Sequence, residues 1–303
     1  MDNLTHGLVG ALMGQAGLKR RTGLAMPALI IGANLPDIDA ACTIYGVQSL
    51  AMRRGLTHGP LAWIVLPVLL AALLYGFDRW QAKRGKRPAG RLPVHFGWLW
   101  ALSFAACLTH PALDWLNVYG IRLLEPFSSR WFHGDILFII DVWLWLGMGL
   151  AVWFSLRRER KTGSDWRKPA RVALAGAAAY IGVNALITAR SETAVQDAPT
   201  GAATIIAKPV PLAFWQREMV TGGAGLYAVE GQALPGVPLA ACNLDGAAAR
   251  DPDVRAFLFW SQAPFVESGA DGVLRLRDAR FYDPLARDRF TVSLPPGACP
   301  GIR

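Results

Sequence analysis

What most limits the folds open to this chain is a set of long stretches without charge. Residues 59–77 and 172–189 hold no charged side chain, 92–109 hold only His95, and 136–156 hold only Asp141. Each approaches the roughly 20 residues a helix needs to cross a bilayer. Residues 22–36 form a shorter apolar stretch that ends at acidic side chains, and 4–18 are weakened by four glycines. The pattern predicts five or six membrane helices, the number depending on whether 4–18 span.

Composition supports a membrane setting: 53% of residues are hydrophobic and 17% are charged, against about 25% charged in a typical soluble domain. The formal charge of +9 sits in short clusters between the apolar runs, as in cytoplasmic loops of membrane proteins. No basic run is interleaved with aromatics as a single-strand groove requires, so nucleic acid is excluded as a partner. Lys19-Arg20-Arg21 follows the first apolar stretch, the reverse of a cleavable signal peptide.

Loops 78–91 and 157–171 carry six and seven Lys/Arg, which places both in the cytoplasm. Alternating the helices from these anchors puts Asp37, Asp39, His58, His110 and the 115–135 segment on the outer face. His6 joins them if 4–18 cross. From Ser191 onward the texture changes to short strand-like stretches around glycine turns, "FWQREMVTG", "GLYAVEG", "GVLRLRDARFYD" and "RFTVSLP". "DPDVRAFLFWSQA" reads as a helix begun by aspartate. The fold expected is therefore mainly α: a multi-pass membrane helix bundle over 1–190, followed by a water-soluble α+β domain over 191–303. The last span delivers that domain to the outer side, which in a Gram-negative cell is the periplasm. Cys242 and Cys299 fall in it, and an oxidising compartment permits a disulfide there. Their distance, and so whether they are bonded, is open at this level.

The chain holds five histidines, and three stand in Leu-Thr-His units: His6, His58 and His110. The units are 52 residues apart, yet their surroundings differ, so they are not an internal repeat. His110 and Asp114, four apart, present imidazole and carboxylate on one helical face. Such a pair suits a divalent metal of the zinc or manganese type. Asp37 and Asp39 lie at a membrane boundary, where unpaired burial is costly. His133 and Asp135 follow in "FHGDILFIID". A helix beginning near Asp135 would put Asp141 about 9 Å deeper, and an acid at such depth faces a partner or water. Each signal has a bland reading: a solvated helix end, a hydrogen-bonded histidine, a threonine cap at Thr57. Their meeting on one face favours a metal site. His95, beside the basic loop, is read as interfacial and without function.

"THGLVG", "LPDID", "RRGLTHG" and "HPALDWLNVYGIRLLEP" resemble the YdjM-type bacterial inner-membrane proteins, described as membrane-bound metal-dependent hydrolases. The resemblance covers roughly residues 1–190. The family is in turn distantly similar to zinc-dependent phospholipases C, which use an H-x-x-x-D pair. By position, the resemblance implies metal-ligand roles for His6, Asp37, His58, His110 and Asp114. Asp39 lies close by, and Asp135 and Asp141 match family positions. The chain departs from the pattern at Arg53, where relatives often carry histidine, and at Gly59, where they often carry serine. A guanidinium stays protonated and cannot bind metal, so Arg53 is expected to contact an anionic group of the substrate.

The resulting expectation is a hydrolase using a divalent metal, zinc foremost, on a phosphoester or lipid-linked substrate at the outer face, with membrane lipid as its surroundings. Asp39 or Asp135 would be the general base. The alternative is a membrane transporter or scaffold in which Asp141, His110 and Asp114 line an ion path.

Overall fold

A computed structural model describes residues 1–161, 165–197, 201–283, 286 and 288–301. In chain order its helices are α1 (Asn3–Gln15), α2 (Ala25–Asn34), α3 (Ser49–Met52), α4 (Pro60–Lys83), α5 (Phe96–Trp115), α6 (Val142–Glu159), α7 (Lys168–Gln196), α8 (Leu244–Arg250) and α9 (Pro252–Trp260). The chain divides into two compact units, one of Met1–Asp39 with Arg54–Asn184 and one of Ala40–Arg53 with Ala185–Arg303.

In the first unit, α2 packs on α1 and α5, and α5 packs on α4. α1 starts at Asp2, whose carboxylate accepts from the backbone N–H groups of Leu4 at 2.9 Å and Thr5 at 3.1 Å, satisfying donors that a helix start leaves open. Its contact with α2 depends on Gly10: a Cβ there would lie 2.5 Å from the carbonyl oxygen of Leu29. Small residues let helix backbones approach in this way when a hydrophobic driving force is lacking. Ala28, Leu29, Ala33, Leu99, Leu102 and Ala106 fill the α2–α5 seam.

Among the described residues three helices, α4, α5 and α7, are long and apolar enough to cross a membrane by length and composition. α1, α2 and α6 do not meet that measure. α2 has ten residues, about 15 Å at 1.5 Å per residue. The apolar run at 136–156 does not give one helix. α6 begins only at Val142, with Asp141 as its N-cap accepting from the Leu144 N–H at 2.9 Å. Asp141 is therefore at the mouth of a helix and not inside one, and its other oxygen accepts from the Tyr180 hydroxyl at 2.9 Å.

The second unit carries two antiparallel four-stranded sheets. One has the order β1 (Thr204–Pro209), β2 (Arg217–Gly223), β3 (Leu226–Val229), β4 (Gln232–Ala233); the other β5 (Gly236–Val237), β6 (Pro264–Ser268), β7 (Leu274–Asp278), β8 (Thr291–Ser293). The four strand-like stretches of the sequence carry β2, β3, β7 and β8, and α9 starts on Asp251 as its composition predicts. Trp260, fully buried, stacks on Phe281 and Phe290 with ring centroids at 5.5 and 5.1 Å. Cys242 and Cys299 are joined by a disulfide across 57 positions.

Candidate metal centre

Four acidic and imidazole side chains meet in the first unit. One ligand atom from each of Asp37, His58, His110 and Asp114 lies within 4.8 Å of the others, although Asp37 and Asp114 are 77 positions apart. Asp37 follows α2, His58 precedes α4, and His110 with Asp114 occupies the last turns of α5. His110 Nε2 stands 3.6 Å from both Asp37 Oδ1 and Asp114 Oδ2, and His58 Nε2 stands 3.4 Å from Asp114 Oδ2. His58, His110 and Asp114 are fully buried, and the Asp37 side chain is 7% exposed.

The outer contacts fix which nitrogen faces inward. His110 Nδ1 lies 2.7 Å from the Ala33 carbonyl oxygen. That oxygen can only accept, so Nδ1 carries the proton and Nε2 is the atom turned towards the group, able to offer its lone pair there when unprotonated. His58 Nδ1 is 2.8 Å from Thr57 Oγ1 and 3.4 Å from Asp39 Oδ2. Asp39 Oδ2 also accepts from the Thr57 hydroxyl and the Arg54 N–H, both at 2.8 Å. Thr57 therefore orients the ring, and α4 starts without a side-chain cap. A carboxylate or carbonyl behind each imidazole is the arrangement that steadies metal-ligating histidines.

Whether these residues suit a metal is tested by their unmet bonding. Among the described residues, His58 Nε2, His110 Nε2 and Asp114 Oδ2 are buried without a hydrogen bond, as are both ring nitrogens of His6. Leaving buried polar atoms unpaired costs about 1–3 kcal/mol each. A cation accepting the inward lone pairs removes that cost, and two imidazoles with two carboxylates are a donor set that zinc or manganese takes. The residues fit a divalent metal.

Charge in the cluster is shared among several neighbours. Burial works to raise the Asp37 carboxyl, but the His110 imidazolium beside it, when protonated, outweighs that and holds the group at about 2. Burial likewise opposes ionisation of Asp39, and His58, Thr57 and the Arg54 N–H together hold it below the usual carboxylate range. His6 stacks on His110 with ring centroids 3.7 Å apart and puts Nε2 3.3 Å from Asp114 Oδ1. It flanks the four without being among those whose ligand atoms converge. The amino group of Met1 also lies against Asp114.

Other expected residues lie elsewhere. His133 and Asp135 pair with each other, Nδ1 to Oδ2 at 2.8 Å, and neither belongs to the converging four. Asp141 caps α6. Arg53 falls in the second unit, and the guanidinium beside Asp114 is that of Arg54, with Nε 3.2 Å from Oδ2. Arg54 sits at φ 55°, a left-handed conformation that side chains seldom adopt. Its N–H donates to Asp39 and its carbonyl accepts from Arg122, each at 2.8 Å, while Nη1 donates to Asn117 Oδ1 at 2.9 Å. These bonds hold it in place. Sequence reasoning missed Arg54 and Asn117; their signals were places four residues before His58 and three after Asp114, and the first did not separate Arg54 from Arg53. His95 starts α5, fifteen residues before His110, about 22 Å away along the axis. A surface groove of about 410 Å³ lined by Asn3, Ile30, Asn34, Leu35 and Ile38 reaches Asp37.

Fold and site together define a helical protein with three helices fit to cross a membrane and a buried Asp-His-His-Asp group able to hold a metal. The family model described as YdjM inner membrane protein matches residues 1–191, and the chain belongs to that family. No curated protein and no solved structure matches the chain.

Proposed function

We propose that the chain is a multi-pass inner-membrane protein that hydrolyses a phosphoester or lipid-linked substrate with a divalent metal, zinc foremost, at the outer face of the membrane. The observation that carries this reading is the convergence of imidazole and carboxylate atoms from three separate segments, with His58 Nε2, His110 Nε2 and Asp114 Oδ2 buried without a hydrogen bond. Asp37, His58, His110 and Asp114 would hold the metal, with His6 beside them. When bound, it supplies Lewis acidity, activating water near neutral pH and polarising a phosphoryl oxygen. Asp39 keeps the His58 ring turned inward, and Arg54 offsets the buried charge of Asp114. Asp39 or Asp135 would supply the carboxylate for general-base work. The groove ending at Asp37 admits the apolar part of a substrate from the bilayer side.

Two observations support the orientation. The ends of α4 and α6, the starts of α5 and α7, and the segment after α1 are tied to one another: Gly23 N–H donates to the Pro93 carbonyl at 2.9 Å, Arg91 to Asp78 at 2.9 Å, and Lys19 to Glu159. There arginines lie over aromatic rings: Arg84 over Trp80 at 4.7 Å, Arg157 over Trp153 at 5.3 Å and Arg20 over Trp166 at 5.1 Å. Aromatic residues occur at both membrane interfaces, and the excess of arginine and lysine at this end supports the cytoplasmic one. The site lies at the far end of α5, facing out. The Cys242–Cys299 disulfide agrees with a periplasmic C-terminal domain.

The test is metal analysis of full-length protein purified in detergent without chelator, followed by a phosphodiester-lipid hydrolysis assay. One or two equivalents of metal are expected, with hydrolysis lost on chelation and in His110→Ala. Protein free of metal, or hydrolysis indifferent to chelator and to His110→Ala, would overturn the reading.

A further inference from the structure

At the opposite end of α5 from the metal centre, a recess of about 500 Å³ is lined by Arg21, His95, Gly97, Trp98 and Ala101. The Arg21 guanidinium lies over the Trp98 ring, 5.1 Å from its centroid. Among the described residues the Arg21 side chain has no acidic partner. Several basic residues nearby are paired with acids, Lys19 with Glu159 and both Arg87 and Arg91 with Asp78, while Arg20, like Arg21, lies over an aromatic ring. His95 is fixed by its backbone N–H, which donates to Thr22 Oγ1 at 2.9 Å, and its imidazole has no protein partner among the described residues. The wall also includes the Trp98 ring and Ala101, where α5 enters its apolar stretch.

We propose that this recess binds the phosphate headgroup of an anionic phospholipid from the cytoplasmic leaflet. The proposal rests on the membrane reading and is independent of hydrolysis. A guanidinium offers paired donors that match phosphate oxygens, and the imidazole adds another from the side. Basic pockets between membrane helices on the cytoplasmic side suit anionic headgroups. The recess also argues against a zwitterionic lipid. No carboxylate lines it to receive an ammonium group, and the one aromatic face that would take such a cation is covered by Arg21. The acyl chains continue along the exposed apolar surface of α5.

Native mass spectrometry of the full-length protein in neutral detergent, titrated with single lipids, tests this. A single phosphatidylglycerol adduct is expected to saturate before any phosphatidylethanolamine adduct forms. Arg21→Gln weakens it about fivefold, corresponding to the ~1 kcal/mol of a basic side chain at an anionic surface. Arg84→Gln, whose guanidinium lies over Trp80 outside the recess, changes it less than twofold. Equal binding of the two lipids by the unmodified protein overturns the proposal. So does indifference to Arg21→Gln, or displacement of the lipid by millimolar inorganic phosphate, which would mark a free-phosphate site.

Discussion

Removing a residue that faces the metal and removing one that stands behind it should have separable costs, and His110 and Asp39 provide the pair. His110 directs Nε2 into the cluster at 3.6 Å from two carboxylates and carries no hydrogen bond on that atom. Asp39 reaches the cluster only through His58, 3.4 Å from its Nδ1. Structural zinc binding of about 10–16 kcal/mol spread over four ligands amounts to about 2.5–4 kcal/mol for each. His110→Ala should then weaken metal binding by about 10²- to 10³-fold. Asp39→Asn keeps the shape and removes the charge behind His58, a loss of about 10- to 100-fold. The two converge only at the edges of their ranges, so the order is the sharp expectation. Competition with chelators of graded affinity, on protein in detergent, reads both values. Thermal unfolding of metal-free samples shows separately whether either variant is misfolded. A His110→Ala protein that binds metal as the unmodified protein does, or an Asp39→Asn loss exceeding that of His110→Ala, would refute the assignment of inner and outer roles.

Gly59→Ser should destabilise the protein by about 1–3 kcal/mol, seen as a lower unfolding temperature, because a Cβ at Gly59 would lie 2.0 Å from the Glu125 carbonyl oxygen. In the C-terminal unit, Asp278 and Arg280 are fully buried and bonded at 2.7 Å, and Arg280→Met should cost about 3–5 kcal/mol by leaving a buried carboxylate uncompensated. Burial opposes ionisation of Asp278, yet Arg280, Ser261 and the Arg280 N–H hold its carboxyl below the usual range. Its folded value is therefore depressed, so its contribution is complete above about pH 4 and fades as pH falls through the folded value. Acid unfolding followed by tryptophan fluorescence should show this fall, and Asp278→Asn should flatten it. A cysteine placed at Lys86 in a version without native cysteines should escape membrane-impermeant labelling in intact cells; labelling there would reverse the topology.

Much of the architecture is local in origin and was legible in the sequence. Uncharged runs give α4 and α7 because only internally bonded helices satisfy backbone groups in lipid, and Asp251 starts α9 because its carboxylate meets free N–H groups next to it in the chain. The residue types of the metal centre were legible too, since imidazole and carboxylate four apart on α5 share a face. Other features depend on what packs against what. Asp141 lies in an apolar run, and its place at a helix mouth came from backbone bonding and the Tyr180 hydroxyl from α7. Arg54 and Arg53 are adjacent and chemically alike, and only the loop held by Asp39, Asn117 and Arg122 turned Arg54 towards Asp114. His6 came to stack on His110 once Gly10 let α1 close on α2. Which segments are apolar and which side chains have metal chemistry follow from residue types and near neighbours along the chain. Which imidazole nitrogens point inward and which arginine balances Asp114 follow only from the packed fold. Those depend on distances between segments far apart in the chain, and helix packing sets such distances.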